Sequence, residues 1–193
     1  MNNDLYEKLE NYQTDIEQEQ MDKLEMLAFI KNNPDCLDRS NLTGHFSSSS
    51  WIVNKDHTKV LMIFHNIYKS FSWTGGHNDG DNDFLHVAKK EAEEETGITN
   101  LKQIYDGIFS IEALTVDGHI KRGKYVPSHL HFNLTYLFEA DENDSIRIKE
   151  DENSSVKWIP IKDLEKEVNE RWMKDWVYFK LVDKLNKLDS KKM

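Results

Sequence analysis

Three glutamates, Glu91, Glu94 and Glu95, stand at the end of a segment patterned as a helix over roughly 83–96. Asn82 or Asp83 can cap its start, and Gly97 suits the position just past its end. Leu85, Ala88 and Ala92 form an apolar stripe between them. Glu91 and Glu95 are four residues apart and share a face, with Glu94 beside them. Like charges at that spacing cost a helix about 0.2–0.5 kcal/mol per pair. Acids in the last turns also oppose the helix dipole, at ~0.3–1 kcal/mol each when exposed. Lys89 and Lys90 offset only part of this. A bound Mg²⁺ or Mn²⁺ would reverse the sign of the cost, because hard cations take several carboxylate oxygens. The competing reading is a solvated acidic face, and helix energetics alone do not decide between the two.

The spacing around the glutamates is more specific. The stretch from Gly75 to Ile98 resembles the Nudix box. That pattern is a glycine, five residues, a glutamate, seven residues, then Arg-Glu-apolar-x-Glu-Glu-x-Gly-apolar. Gly76 takes the first glycine. Lys90-Glu91-Ala92-Glu93-Glu94-Glu95-Thr96-Gly97-Ile98 takes the closing block in register. Two positions depart: Asn82 replaces the isolated glutamate, and Lys90 replaces the arginine. Lys90 keeps a cation but not the planar bidentate fork.

The resemblance covers roughly residues 44–187. It implies an α/β fold, the Nudix α/β/α sandwich with a mixed sheet. It also implies a small-molecule substrate, a nucleoside diphosphate linked to another group or a related diphosphate. Glu91, Glu94 and Glu95 would hold Mg²⁺, with Mn²⁺ as the other candidate. The metal lowers the pKa of the water that attacks phosphorus. Glu91, Glu95 and Glu152 are the expected catalytic residues, with Glu91 or Glu152 as general base. Glu152 is a candidate because the family often sets an extra acid in the loop before the strand holding Trp158. It could equally be an exposed member of the run Glu150-Asp151-Glu152. Gly75 and Gly76 would let the backbone approach the substrate closely.

The histidines add a second group of candidates. His129 and His131 alternate along a strand, so they share a face with Asn133 and Thr135. Leu130, Phe132, Leu134 and Tyr136 take the other face. With His77, they could donate hydrogen bonds to phosphate, bind a transition metal, or be ordinary polar residues. His45 and His65 read as structural. Trp73 could stack on a base or anchor its loop.

These side chains need a scaffold. Residues 3–32 read as helical, with Leu5, Leu9 and Tyr12, then Met21, Leu24, Leu27 and Ile30 or Phe29, at helical spacing. Asn33-Pro34 ends that stretch. The expected organisation is an N-terminal helical arm over 1–40, either packed on the main domain or a homodimer contact, and a Nudix domain over 41–193. Strands are expected over 45–53, 60–64, 102–118 with a break near Gly107, 129–139 and 155–159. Helices are expected over 161–167 and 170–187. The run from Val60 to Phe64 suits a central strand covered on both faces.

The 193 residues suffice for a single core. The formal net charge of -10 disfavours nucleic acid as a partner. No apolar run approaches the ~18 residues of a membrane span, and the N-terminal segment lacks a signal-peptide pattern. Cys36 is the only cysteine, so no internal disulfide is expected. A cytoplasmic enzyme is therefore expected. Two other readings remain: a nucleotide-sugar sensor on the same fold, favoured by Asn82, and an isoprenoid-diphosphate isomerase. The isomerase is disfavoured because Cys36 lies far from the box.

Overall fold

The computed structural model describes residues 2–121 and 123–191. Its elements run α1 (Asn3–Asn11), α2 (Glu17–Asn32), β1 (Gly44–Val53), β2 (Lys59–His65), β3 (Ser70–Ser72), β4 (Thr74–His77), α3 (Phe84–Thr96), β5 (Lys102–Gln103), β6 (Ser110–Val116), β7 (His119–Lys121), β8 (Lys124–Val126), β9 (His129–Glu139) and β10 (Asn153–Pro160). A 3₁₀ turn (Ile161–Asp163), α4 (Leu164–Glu167), a π-helical turn (Met173–Tyr178) and α5 (Phe179–Ser190) close the chain. The chain divides into two compact units, and β1, α3 and β9 each contribute residues to both.

The first unit comprises 1–49, 75–88 and 107–136. Here β1 lies beside β4 and β9, and β6 pairs antiparallel with β9 from Ser110↔Thr135 to Val116↔His129. Phe46, Phe84 and Phe132 are buried together, with Phe29 of α2 4.6 Å from Phe132. The face of β9 carrying Asn133 and Thr135 is not solvated; both residues are buried. Asn133 and Thr135 donate to Glu112 at 3.0 and 2.9 Å, and Ser47 and Ser49 donate to Asn133 Oδ1 at 3.2 and 2.8 Å. Ser110 Oγ lies in hydrogen-bond contact with both Glu112 and Glu19 of α2. Low dielectric makes such a network costly unless every member is paired.

The arm differs from the single helix expected over 3–32. It breaks between α1 and α2, where Tyr12 and Thr14 turn their hydroxyls to Glu19. Lys23 Nζ donates to the carbonyls of Glu10 and Tyr12, both at 2.7 Å, and satisfies the end of α1. Leu5, Leu9, Met26 and Ile30 are buried, but Met21 and Leu24 are 61% and 60% exposed. The apolar stripe assumed for 21–30 is thus displaced around the helix. A β7–β8 hairpin, not anticipated from the sequence, follows β6.

The second unit comprises 50–74, 89–106 and 137–193. Its strand order is β10-β2-β1-β9-β5, with β3 also on β2. Val60 to Ile63 are all buried, as the apolar run required. Trp51 stacks on Tyr178 at 5.5 Å. Trp73 is buried edge-on against Tyr178 at 5.6 Å, so it is an anchor. His65 accepts the amides of Ile67 and Tyr68 and shapes a turn, the structural role expected of it. Among the described residues, no helix is long and apolar enough to cross a membrane.

Candidate active site

Helix α3 begins and ends on local chemistry. Asp83 is the residue that caps it, accepting the His86 amide at 3.0 Å. Asn82 instead accepts a hydrogen bond from the Asn2 side chain. Gly97 has φ +78°, and its amide returns to the Glu93 carbonyl at 2.9 Å. That left-handed conformation ends the helix, and a β-carbon there would also meet the Arg147 side chain.

The last turns of α3 face the loop after β9. The Arg147 amide donates to the Thr96 carbonyl at 2.7 Å, and Asn153 Nδ2 donates to the Glu95 carbonyl at 3.0 Å. These bonds satisfy carbonyls that a helix end leaves open. They also fix the loop that carries Lys149 and Glu152. Lys149 Nζ lies 3.1 Å from Glu152 Oε2 and 3.3 Å from Glu94 Oε2. Lys90 Nζ lies 3.8 Å from Glu91 Oε1 and 3.6 Å from Glu94 Oε1. Glu95 is only 4% exposed.

Burial raises the Glu91 carboxyl above its ordinary value; Lys90 and Lys149 oppose this, while Glu94 and Glu152 add to it. Burial alone would lower Lys149, but the hydrogen bond and charge of Glu152, the hydrogen bond of Glu94 and the charge of Glu91 outweigh it and hold the ammonium above its usual value. Three carboxyl groups, Glu91, Glu94 and Glu152, and two ammonium groups, Lys90 and Lys149, therefore share a small region. The oxygen donor set suits a hard divalent cation, and an ammonium bridging Glu94 and Glu152 shows that these two carboxylates converge on one positive charge.

Lys149 and Asn153 were not singled out from the sequence. No local periodicity marks them, because their role depends on how the loop returns to the end of α3.

Gly75 and Gly76 lie in β4. A β-carbon on Gly75 would stand 2.5 Å from Ser49 Oγ and 2.6 Å from the Ser48 carbonyl. The close approach at Gly75 is thus made to β1. His77, at the end of β4, and His129 and His131, at the start of β9, come together around His45 of β1. His45, whose sequence context suggests a structural role, is brought to the other three only by strand pairing.

Residues 45–179 match the family model described as the NUDIX domain. The chain belongs to the Nudix family. It is a Nudix hydrolase, of the class that cleaves pyrophosphate linkages. It is 31% identical over 119 residues to an RNA pyrophosphohydrolase of Pelagibacter ubique (strain HTCC1062), covering 58% of this chain and 74% of that one. Solved structures share the fold. An Ap4A hydrolase of C. elegans superposes with TM-score 0.51 at 18% identity, over 76% of this chain and 98% of the other. A Nudix-family hydrolase of Clostridium perfringens gives 0.50 at 21%, over 75% and 97%. The Nudix α/β architecture expected from the box is the one observed.

Proposed function

We propose that this Nudix hydrolase cleaves the pyrophosphate linkage of a nucleoside diphosphate joined to a second group, with Mg²⁺ or Mn²⁺ held by Glu91, Glu94 and Glu95. The observation that carries the reading is the convergence of Glu94 and Glu152 on the Lys149 ammonium. Carboxylates from the end of α3 and from the loop after β9 meet there, which is the donor chemistry a hard cation needs.

When bound, the divalent ion neutralises phosphate charge and makes the attacking water more acidic. Glu91 is assigned the proton, its carboxyl being held above its ordinary value by burial. Glu152 is the other acceptor within the same charged group. Glu95, buried at the last turn, is assigned a ligand role and supports the hydrolytic step through it. Gly75 and Gly76 are proposed to admit the substrate beside the metal, and His77, His129 and His131, candidates for contacting its phosphates, group with His45.

A second reading follows from the RNA pyrophosphohydrolase relative: a pyrophosphate linkage on an RNA. The net charge of -10 opposes it. Phosphate release is the test, with Mg²⁺, Mn²⁺ or EDTA and a coupled phosphatase. ADP-ribose, sugar nucleotides, dinucleoside polyphosphates, NADH and a 5′-triphosphate RNA form the panel. Metal-dependent release from one nucleotide class supports the first reading. Release from RNA alone replaces it with the second. Ligand-induced thermal stabilisation without release from any substrate would leave a binding module.

A further inference from the structure

Four histidines from three strands of the first unit stand together. His45 is central: its ring centroid lies 4.9 Å from that of His77, 5.0 Å from His129 and 4.8 Å from His131. His77 and His131 are 4.9 Å apart. One ring nitrogen from each of His45, His77 and His131 falls within 4.8 Å of the other two.

The chemistry of His45 gives the cluster a direction. His45 is 3% exposed, and its Nε2 is buried with no hydrogen-bond partner. Its Nδ1 faces the Asn41 carbonyl at 3.3 Å. Facing a carbonyl, Nδ1 carries the hydrogen, so Nε2 presents a lone pair to the cluster. His129 Nδ1 likewise faces a carbonyl, that of Pro127 at 2.8 Å, but its Nε2 is paired with His131 Nε2 at 3.1 Å. At His45, a carbonyl on one ring nitrogen leaves the other to coordinate, the outer arrangement usual for histidine ligands. Burial lowers the His45 pKa and favours the neutral form that a ligand needs; Asn41 and Asp79 oppose this, while His129 and Arg39 reinforce it.

We propose that His45, His77 and His131, with His129 beside them, bind a divalent transition-metal ion of the Zn²⁺ class. Imidazole suits Zn²⁺, Ni²⁺ or Cu²⁺, whereas Mg²⁺ and Ca²⁺ take oxygen. An ion held tetrahedrally at about 2.0–2.1 Å from each nitrogen sets the nitrogens about 3.3 Å apart. The widest present separation, 4.8 Å, must then close by about 1.5 Å, within reach of side-chain rotation. The ion would tie β1, β4 and β9 together in the first unit. Its donor set contains none of the glutamates, so it is independent of the hydrolytic reading.

The test uses the full chain without a polyhistidine tag, stripped by chelator and titrated with Co²⁺ under visible absorption. It is run in a Glu91→Gln/Glu94→Gln/Glu95→Gln background and in the unsubstituted protein. The expected result in the substituted background is one equivalent of Co²⁺ with intense visible bands, displaced by Zn²⁺ and untouched by excess Mg²⁺; the unsubstituted protein shows the same bands beside any Co²⁺ taken by the glutamates. His77→Gln and His131→Gln, on half-buried residues, are each expected to weaken binding about tenfold or more while circular dichroism remains unchanged. His45→Gln removes a buried ring and is judged only if it folds. Folded protein that binds neither Co²⁺ nor Zn²⁺ overturns the proposal. So does Co²⁺ binding that both histidine variants leave unchanged.

Discussion

The Asn153 side chain donates to the backbone carbonyl of Glu95 at 3.0 Å. This contact joins the loop carrying Glu152 to the helix turn carrying the glutamates, and Asn153 is fully buried. Asn153→Ala leaves that carbonyl without its donor. A loss of about 1–3 kcal/mol is expected in urea denaturation, with a fall in turnover because the loop is no longer fixed. Unchanged stability would show that the carbonyl finds another partner.

Glu95→Gln is expected to abolish metal-dependent phosphate release while the circular dichroism spectrum stays that of the parent. Turnover at the parent rate would remove Glu95 from the site.

Glu91→Gln and Glu152→Gln separate the two candidate bases. The variant lacking the base should lose ~10²–10⁴-fold in kcat, and the other should lose mainly metal affinity. Rates measured across Mg²⁺ concentration distinguish the two outcomes. Equal, metal-reversible losses would mean that neither carboxylate takes the proton.

The raised Glu91 carboxyl has a consequence for stability in EDTA. A carboxyl whose folded value exceeds its unfolded one binds its proton more tightly in the folded chain. Its ionised form therefore costs stability above the folded value, and the cost vanishes as pH falls below the unfolded one. Glu91→Gln should accordingly be more stable than the parent at neutral pH without metal. The gap should close as pH falls into the ordinary carboxylate range. Denaturation at several pH values checks this; a variant less stable at every pH contradicts it.

Lys149 competes with any cation for Glu94 and Glu152. Lys149→Met is expected to lower the Mg²⁺ concentration needed for half-maximal turnover and to destabilise the metal-free protein through carboxylate repulsion. A raised Mg²⁺ requirement would give the ammonium a supporting rather than a competing role.

Parts of this architecture were readable from local rules. Helix α3 announces itself through the Leu85-Ala88-Ala92 stripe and Gly97, and β2 through its apolar run. The family followed from the box alone. What escaped depends on long-range pairing. The break after α1 arises because Tyr12 and Thr14 find Glu19, a partner that helix propensity does not weigh. Met21 and Leu24 fit a helical period yet lie exposed, so spacing identified a helix but not its buried face. His45 looks like an ordinary strand residue until β1 is set beside β4 and β9. Lys149 and Asn153 acquire meaning only when their loop folds back on the end of α3.

The hydrogen-bonded residues beneath α2 act as a key to strand alignment. Apolar side chains exchange neighbours with little penalty, but Asn133 must find Glu112, Ser47 and Ser49 together. Sliding β6 along β9 by one residue would turn Glu112 to the opposite face and strand its carboxylate among hydrocarbon. Misaligned forms are thereby excluded before the apolar core can accept them.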